Sequence, residues 1–222
     1  MHVAIIYSGD ILAMEITMYI DKYKNVRYNF FKWRYEINFV YKLCLVFSFA
    51  CLTGLLAQFR FYLPGTPVPV TGQVFGVFLA GILLGTWGGI SQCMYVGIGA
   101  AGVPWFAGFN GGLAYIAGPT GGYIVGFIIA AFFIGYVVDK YVRSRSFLSM
   151  LGLMLFSTFA LIYIPGLIQL YMWMGTSIGV LELLSMAVIP FIAADILKAV
   201  MAAVIATSIA PKRSYGPEAD IV

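Results

Sequence analysis

Long runs of apolar residues are the feature that most constrains what this chain can fold into. Several are about 20 residues long, the length that an α-helix needs to cross the roughly 30 Å hydrocarbon core of a bilayer. Of the 222 residues, 62% are hydrophobic and 10% are charged, whereas a soluble domain carries about 25% charged residues. The strands of a membrane barrel would instead form short alternating segments. The chain is therefore predicted to be an all-α integral membrane protein.

We predict six transmembrane helices, at residues 43–59, 73–88, 89–103, 119–138, 147–170 and 185–209. The second and third are separated by the uncharged stretch LLGTWGGISQC, which is typical of a tight glycine turn. The chain then divides into an extension at 1–42, a membrane domain at 43–210 and a tail at 211–222. Two sets of glycines four residues apart predict faces where helices pack closely: Gly81, Gly85 and Gly89, and Gly118, Gly122 and Gly126.

The distribution of basic residues favours six helices and predicts their orientation. Eleven of the 13 lysines and arginines lie in three clusters: Lys22, Lys24, Arg27, Lys32, Arg34 and Lys42; Lys140, Arg143 and Arg145; Lys212 and Arg213. With six helices and both termini cytoplasmic, all three clusters lie inside, as the positive-inside rule requires. The outer loops, at 60–72, 104–118 and 171–184, carry only Arg60 and Glu182 as charged residues. We expect a multi-pass protein of the plasma membrane.

The extension at 1–42 differs from the rest because it mixes charged and aromatic residues, as in DKYKNVRYNFFKWRYEINF. It lacks the charged head, apolar stretch and small-residue cleavage site of a signal peptide. Two interpretations stay open. The extension is either an amphipathic segment on the anionic inner leaflet or a poorly ordered leader.

A charged pair, Asp195 and Lys198, lies inside the last predicted helix, in the stretch FIAADILKAV. If that helix begins near residue 185, Asp195 lies about 10 residues in, or roughly 15 Å. Each charge at such a depth costs about 2.5–3.5 kcal/mol. The spacing of three places both side chains on one helix face, where they can pair. The pair either holds helices together or forms a ligand site that offers one acceptor and one cationic donor.

Two outer loops suggest walls for such a site. LPGTPVPVTGQ is rich in proline and should be stiff, and GVPWFAGFNGG offers aromatic faces and a few polar groups. A mostly apolar pocket with a few hydrogen-bonding groups suits a small molecule. Aromatic residues such as Trp105 and Phe106 are equally consistent with anchoring at the membrane interface.

Residues for enzyme chemistry are scarce. The single histidine is His2, at the terminus, and Cys44, Cys51 and Cys93 lie in apolar segments without metal-ligand spacing. We expect no metal, cofactor or disulfide, and a membrane enzyme is the less favoured alternative. The sequence has no Walker-type phosphate loop, so any ATP hydrolysis would have to come from partner proteins.

Four blocks of sequence resemble, in the same order, those of the BioY family, the biotin-specific S components of energy-coupling factor transporters. They are AQFRFYLPGTPVPVTGQVFGVFLAGILLG, GVPWFAGFNGG, GPTGGYIVGF and IPFIAADILKAV, within residues 45–210. The resemblance implies a six-helix subunit with the S-component fold that binds biotin from outside. It also implies a transmembrane coupling subunit and two ATP-binding subunits as partners. An S component for another vitamin, of the thiamine or riboflavin type, is the main alternative.

The same resemblance assigns residues. Asp195 and Lys198 match the family's vitamin-binding pair, and Gln73 and Asn110 lie in its ligand-facing loops. The full predicted substrate-binding set is Asp195, Lys198, Gln73, Asn110, Trp105 and Tyr163. Ala50 and Gly54 match the family's AxxxA motif for contact with the coupling subunit, with glycine replacing the second alanine. The chain departs from the family at Trp87, where an arginine is common, and in FIAAD, where a Pro-Gly pair often precedes the aspartate.

Overall fold

The computed structural model describes residues 2–175, 178–216 and 218–220, with side chains described from residue 12. It is a bundle of α-helices with one short β-ribbon. The helices are α1 (His2–Glu36), α2 (Phe39–Gln58), α3 (Gln73–Leu84), α4 (Trp87–Ala100), α5 (Leu113–Ile116), α6 (Gly121–Lys140), α7 (Phe147–Phe156), α8 (Tyr163–Met174), α9 (Val180–Ala187) and α10 (Ile189–Ile209). A 3-10 turn at Val142–Arg145 precedes α7, and a π-helical segment at Ser157–Ile162 joins α7 to α8.

The all-α fold class is confirmed, and the first outer loop adds one short ribbon to it. Strands β1 (Arg60–Phe61) and β2 (Val70–Thr71) pair antiparallel, with Arg60 opposite Thr71. The backbone N–H of Gly72 donates to the carbonyl groups of Leu56 and Phe59, which ties the ribbon to the end of α2.

Within the described residues, four helical segments are long and apolar enough to cross a membrane. They are Phe39–Gln58, Gly121–Lys140, Phe147–Met174 and Ile189–Ile209, and they correspond to the first, fourth, fifth and sixth predicted helices. The second and third correspond to α3, with 12 residues, and α4, with 14 residues. At 1.5 Å per residue these two are only about 18 and 21 Å long, so each is shorter than the bilayer core.

Helix α6 lies at the centre of the bundle: 61% of its apolar window is buried, against 22–33% for the other three segments. Glycines make this packing possible. A Cβ at Gly81 would lie 2.9 Å from Ile134 of α6, and one at Gly126 would lie 2.7 Å from the Cα of Ile162. At Gly122 a Cβ would overlap the carbonyl group of Pro165. The predicted role of these glycines in close helix packing is confirmed.

The tight turn predicted between the second and third helices is also confirmed. Gly85 ends α3 with φ 62°, a conformation that glycine adopts without strain. Trp87 begins α4, and its ring contacts that of Phe39 at 5.9 Å between centroids. Trp87 stands where the resembled family commonly has an arginine, but a guanidinium still lies beside this turn. It belongs to Arg34 of α1, which donates to the carbonyl of Leu83 at 3.3 Å and to Asp139 at 2.6 Å.

In this structure most of the extension forms one continuous helix, α1. The second half of α1 packs on the bundle: Phe31 is fully buried and Arg34 is 5% exposed. Two residues then separate α1 from α2, which begins at Phe39, before the predicted boundary at residue 42. Asn38 caps α2 by accepting the backbone N–H of Tyr41 at 3.3 Å.

The tail folds back onto the same end of the bundle. Arg145 is fully buried and pairs with Glu218 at 2.8 Å, while its guanidinium also lies over the ring of Tyr215. Burial alone would raise the pKa of Glu218, but the bonds from Arg145 and the backbone N–H groups of Tyr215 and Gly216 lower this pKa to about 2. The ion pair therefore contributes stability above the ordinary glutamate pKa, and this contribution is lost as the pH falls toward 2.

Candidate substrate-binding site

A cavity lies between the ribbon, the first halves of α6 and α10, and the junction of the π-helical segment with α8. It is at the opposite end of α6 and α10 from the contacts with α1 and the tail. Its described lining residues are Val68, Pro69, Val70, Thr71, Gln73, Val74, Tyr115, Thr120, Tyr123, Ile124, Phe127, Ile162, Tyr163, Phe191, Asp195 and Lys198. Most of these side chains are apolar or aromatic, and the polar ones are few.

The carboxylate of Asp195 is the main charged group of the cavity. Asp195 is 4% exposed. Its Oδ1 accepts from the Nζ of Lys198 at 2.7 Å, and its Oδ2 accepts from the hydroxyl of Tyr163 at 2.5 Å. A carboxylate has about four lone-pair positions, so acceptor capacity remains for a ligand. The ammonium group of Lys198 likewise keeps donors beyond the one that Asp195 uses.

Local structure explains why these three residues meet. Asp195 lies on the buried face of α10, and Lys198, three residues later, shares that face. Tyr163 is the first residue of α8, directly after the π-helical segment. Such segments alter the register of a helix and are frequent at functional sites. The predicted pairing of Asp195 with Lys198 is confirmed, at a place where both also line a cavity.

Gln73 supplies a second polar position at the start of α3. Its side chain is 5% exposed and donates to the hydroxyl of Tyr95 at 2.8 Å. Its Oε1 accepts from the hydroxyl of Thr71 at 2.9 Å, which links the ribbon to α3. Four of the six predicted residues therefore line the same cavity: Asp195, Lys198, Gln73 and Tyr163.

The other two predicted residues lie elsewhere. Over the part of the chain that the structure describes, the lining includes neither Trp105 nor Asn110. The indole N–H of Trp105 donates to the carbonyl of Tyr95 at 2.9 Å, and the amide of Asn110 donates to the carbonyl of Ala107 at 2.8 Å. Both bonds hold the second outer loop in place. Their contact with a ligand stays a prediction, and in this structure both side chains bond within or beside the second outer loop.

Ala50 and Gly54, the predicted contact surface for a coupling subunit, pack against other parts of the same chain. Both residues are buried within the chain. A Cβ at Gly54 would lie 3.2 Å from the Cβ of Trp105, so the second outer loop covers this face. These small residues allow close packing inside the protein, and their contact with a coupling subunit stays a prediction.

Sequence reasoning missed the aromatic wall formed by Tyr123 and Phe127 of α6. The ring of Tyr123 meets that of Tyr163 edge-on, with centroids 6.1 Å apart, and its hydroxyl donates to the carbonyl of Ala187 at 3.1 Å. Inside an apolar segment such residues look like ordinary core. The available signal was the tyrosine placed among the glycines of GPTGGYIVGF.

Comparison with known proteins places this architecture in a family. A sequence model of the BioY family matches residues 25–215, which is most of the chain. The chain belongs to the BioY family. This match begins at residue 25, within α1. The resemblance of the sequence blocks covers only residues 45–210.

Two BioY relatives each match about two thirds or more of the chain. A probable biotin transporter BioY of Methanothermobacter thermautotrophicus is 52% identical over 148 residues, 64% of this chain and 94% of the relative. Another, of Pyrococcus horikoshii, is 42% identical over 166 residues, 74% of this chain and 93% of the relative. BioY proteins are transport subunits rather than enzymes, which agrees with the scarcity of catalytic residue types.

A solved structure has the same fold. It is the crystal structure of the S-component for biotin from an ECF-type ABC transporter, with a TM-score of 0.68 and 28% identity. The alignment covers 76% of this chain and 89% of that chain. The chain is thus a BioY-family protein with an S-component fold and several apolar helices, a multi-pass protein of the plasma membrane.

Proposed function

We propose that this protein is the biotin-binding membrane subunit of an ATP-driven vitamin uptake system. The observation that carries the proposal is the buried group of Asp195, Lys198 and Tyr163 in a cavity whose lining is mostly apolar or aromatic. Asp195 accepts a ureido N–H of biotin, and Lys198 donates to a neighbouring oxygen or neutralises the carboxylate. The aromatic side chains pack on the fused rings. The names of the BioY relatives and of the solved S-component support biotin as the substrate.

Partner proteins supply the energy in this proposal. The sequence has no Walker-type loop, and the solved relative comes from an ECF-type ABC transporter. A transmembrane coupling subunit and two ATP-binding subunits would therefore complete the transporter. Substrate capture by this chain needs only its own cavity, so ATP should not affect the binding step.

The test is binding of tritiated biotin to the purified protein. We expect saturable binding that is the same with and without ATP, and no displacement by a hundredfold excess of thiamine or riboflavin. Biotin returned intact after denaturation of the complex excludes turnover. Displacement by one of the other vitamins, with no retention of biotin, would instead identify an S component of different specificity.

We also propose that the protein crosses the membrane six times, with both termini cytoplasmic and the cavity open to the outside. Arg34, Arg145 and the tail meet at one end of the bundle, and this end carries the basic residues. The cavity and the ribbon lie toward the other end. Under the positive-inside rule, the basic end is cytoplasmic. In this arrangement α3 runs from the outer side to the cytoplasmic side, and α4 runs back toward the outer side.

Thiol labelling tests this orientation in a background where Cys44, Cys51 and Cys93 are replaced by alanine. A membrane-impermeant maleimide should label Tyr62→Cys in intact cells, because Tyr62 lies in the exposed loop of the ribbon. It should label Lys212→Cys, in the tail, only after permeabilisation. Labelling of both variants in intact cells would contradict the proposed orientation.

A further inference from the structure

Helix α1 lies across one end of the bundle and is not parallel to the bundle helices. The hydroxyl of Tyr23 donates to the carbonyl of Ser208 at 2.6 Å, near the end of α10. Eleven residues later, Arg34 donates to Leu83 near the end of α3 and to Asp139 near the end of α6. The second half of α1 therefore crosses the ends of three bundle helices. These ends mark one surface of the membrane, so α1 is parallel to that surface.

One side of α1 faces the bundle, and this side continues as an apolar stripe. The buried Phe31 and Arg34, with Arg27, mark the inward side in the second half. At 3.6 residues per turn, the same side of the first half carries Leu12, Ala13, Ile16 and Ile20. Leu12 is 58% exposed and Ile16 is 50% exposed. Their side chains thus extend beyond the bundle on the side that faces the membrane.

The opposite side of α1 is mainly polar. Its described residues are Glu15, Asp21, Lys22, Asn25, Asn29, Lys32 and Glu36, interrupted by Met14, Met18, Val26 and Trp33. A helix with one apolar and one polar side is the form that lies in the interface between lipid and water.

Beside α1, four basic residues line a groove between this helix and the tail. The groove is lined by Lys24, Arg27, Tyr28, Pro211, Lys212 and Arg213, and we call it the basic groove. One donor in it is unused: the Nε of Arg27 is buried and has no hydrogen-bond partner among the described residues. The other end of that guanidinium donates to the carbonyl of Ala210 at 2.7 Å. A buried donor without an acceptor costs about 1–3 kcal/mol, and here that cost falls on a guanidinium that lines the groove.

We propose that the basic groove binds the phosphate of an anionic lipid headgroup while the first half of α1 lies in the interface beside it. The groove adjoins the last turn of α10, at the level where a membrane helix meets the headgroups. Its charge complements a phosphate, and the apolar stripe of α1 supplies contacts for the acyl chains. This assignment uses the proposed orientation, but neither measurement below requires biotin, so it can fail while biotin binding stands.

A second copy of the chain is the competing occupant of the stripe, because Leu12, Ile16, Tyr19 and Tyr23 also follow the spacing of a coiled coil. The membrane-parallel path of α1 favours lipid. In that path the stripe points into the bilayer surface, and the contacts of Tyr23 and Arg27 with α10 fix this side toward the bundle.

The headgroup site is tested by native mass spectrometry of the intact protein with added phosphatidylglycerol. Each groove cation that is removed, by Lys24→Gln or Arg213→Gln, should weaken lipid retention about fivefold, since a basic residue near an anionic surface contributes about 1 kcal/mol. Lys22→Gln is the matched control, because it removes the same charge from the polar side of α1. An equal loss in the control would overturn the groove as a specific site. Displacement of the lipid by millimolar inorganic phosphate would show that a free anion occupies the groove, which would also overturn the proposal.

The position of α1 is tested by spin labels in lipid nanodiscs of phosphatidylcholine and phosphatidylglycerol, 3:1, in the cysteine-free background. A nitroxide at Ile16→Cys should collide more with oxygen than with a water-soluble nickel chelate. The reverse is expected for Asn25→Cys, the matched position on the polar side. Equal access of the chelate to both labels would overturn the interfacial placement. Spin–spin broadening at Ile16→Cys would assign the stripe to a second copy.

Discussion

Replacing Asp195 with asparagine is expected to lower biotin affinity by roughly 30- to 700-fold, which corresponds to about 2–4 kcal/mol. The change keeps the shape of the side chain but removes its charge. Lys198, whose side chain is 17% exposed, then loses its partner. The asparagine also presents an NH₂ group to a ligand donor or to Tyr163, where the carboxylate accepted from both. The measurement is tritiated biotin binding to purified variant and wild type.

Three further variants separate charge, hydrogen bonding and folding. Tyr163→Phe removes one bond to Asp195 and should cost about tenfold in affinity. Lys198→Ala should resemble Asp195→Asn, because it breaks the same pair. Glu182→Gln removes an acidic charge from α9, outside the cavity lining, and should leave affinity unchanged. Wild-type affinity in both Asp195→Asn and Lys198→Ala would exclude the pair from the site.

The second large effect is expected from adding a methyl group at Gly126. A Cβ there would lie 2.7 Å from the Cα of Ile162 and from the carbonyl of Leu161, both backbone atoms that cannot rotate away. The helices must separate, and such overpacking costs about 1–3 kcal/mol of stability. Ile162 and Tyr163 line the cavity, so Gly126→Ala should also weaken biotin binding. Thermal unfolding in detergent and biotin titration measure the two effects.

The chain offers a matched control in Gly152, which lies in α7 and has no neighbouring atom within 4 Å of an added Cβ. Gly152→Ala should leave stability within about 0.5 kcal/mol of wild type and leave biotin binding unchanged. If both alanine variants behave alike, close packing of α6 on the π-helical segment does not hold the site together.

Much of the helical architecture was predictable because long apolar runs have few alternatives in a membrane. The segments at Gly121–Lys140, Phe147–Met174 and Ile189–Ile209 follow the predicted positions within four residues. The start of the last helix was placed too early, since apolar residues continue through the break at Val188 that separates α9 from α10.

The extension was harder to interpret because its helix depends on distant residues. Phe31 packs on Tyr215, with ring centroids 5.6 Å apart, although the two lie at opposite ends of the sequence. Local periodicity cannot reveal such a contact. The mixture of charge and aromatic residues was visible, but not the surface on which it packs.

The candidate site was predictable where chemistry alone singled out a residue. Asp195 and Lys198 stood out because charge is costly within an apolar helix. Trp105 and Asn110 lie outside the described cavity lining, and sequence shows which groups a loop offers but not where they point. The loop is held by Gln58 of α2, whose amide donates to the carbonyl groups of Trp105 and Phe106. These two bonds join residues that lie far apart in the sequence.

The two ends of the bundle differ in how firmly they are fastened. At the basic end, buried ion pairs of Arg34 and Arg145 join α1, α6 and the tail. At the other end, the cavity is covered by a ribbon with only two residues in each strand. Lys198 lines the cavity and also the groove outside this ribbon, beside Arg60. The charged pair therefore lies next to the outer surface of the ribbon, while buried ion pairs fasten the opposite end of the bundle.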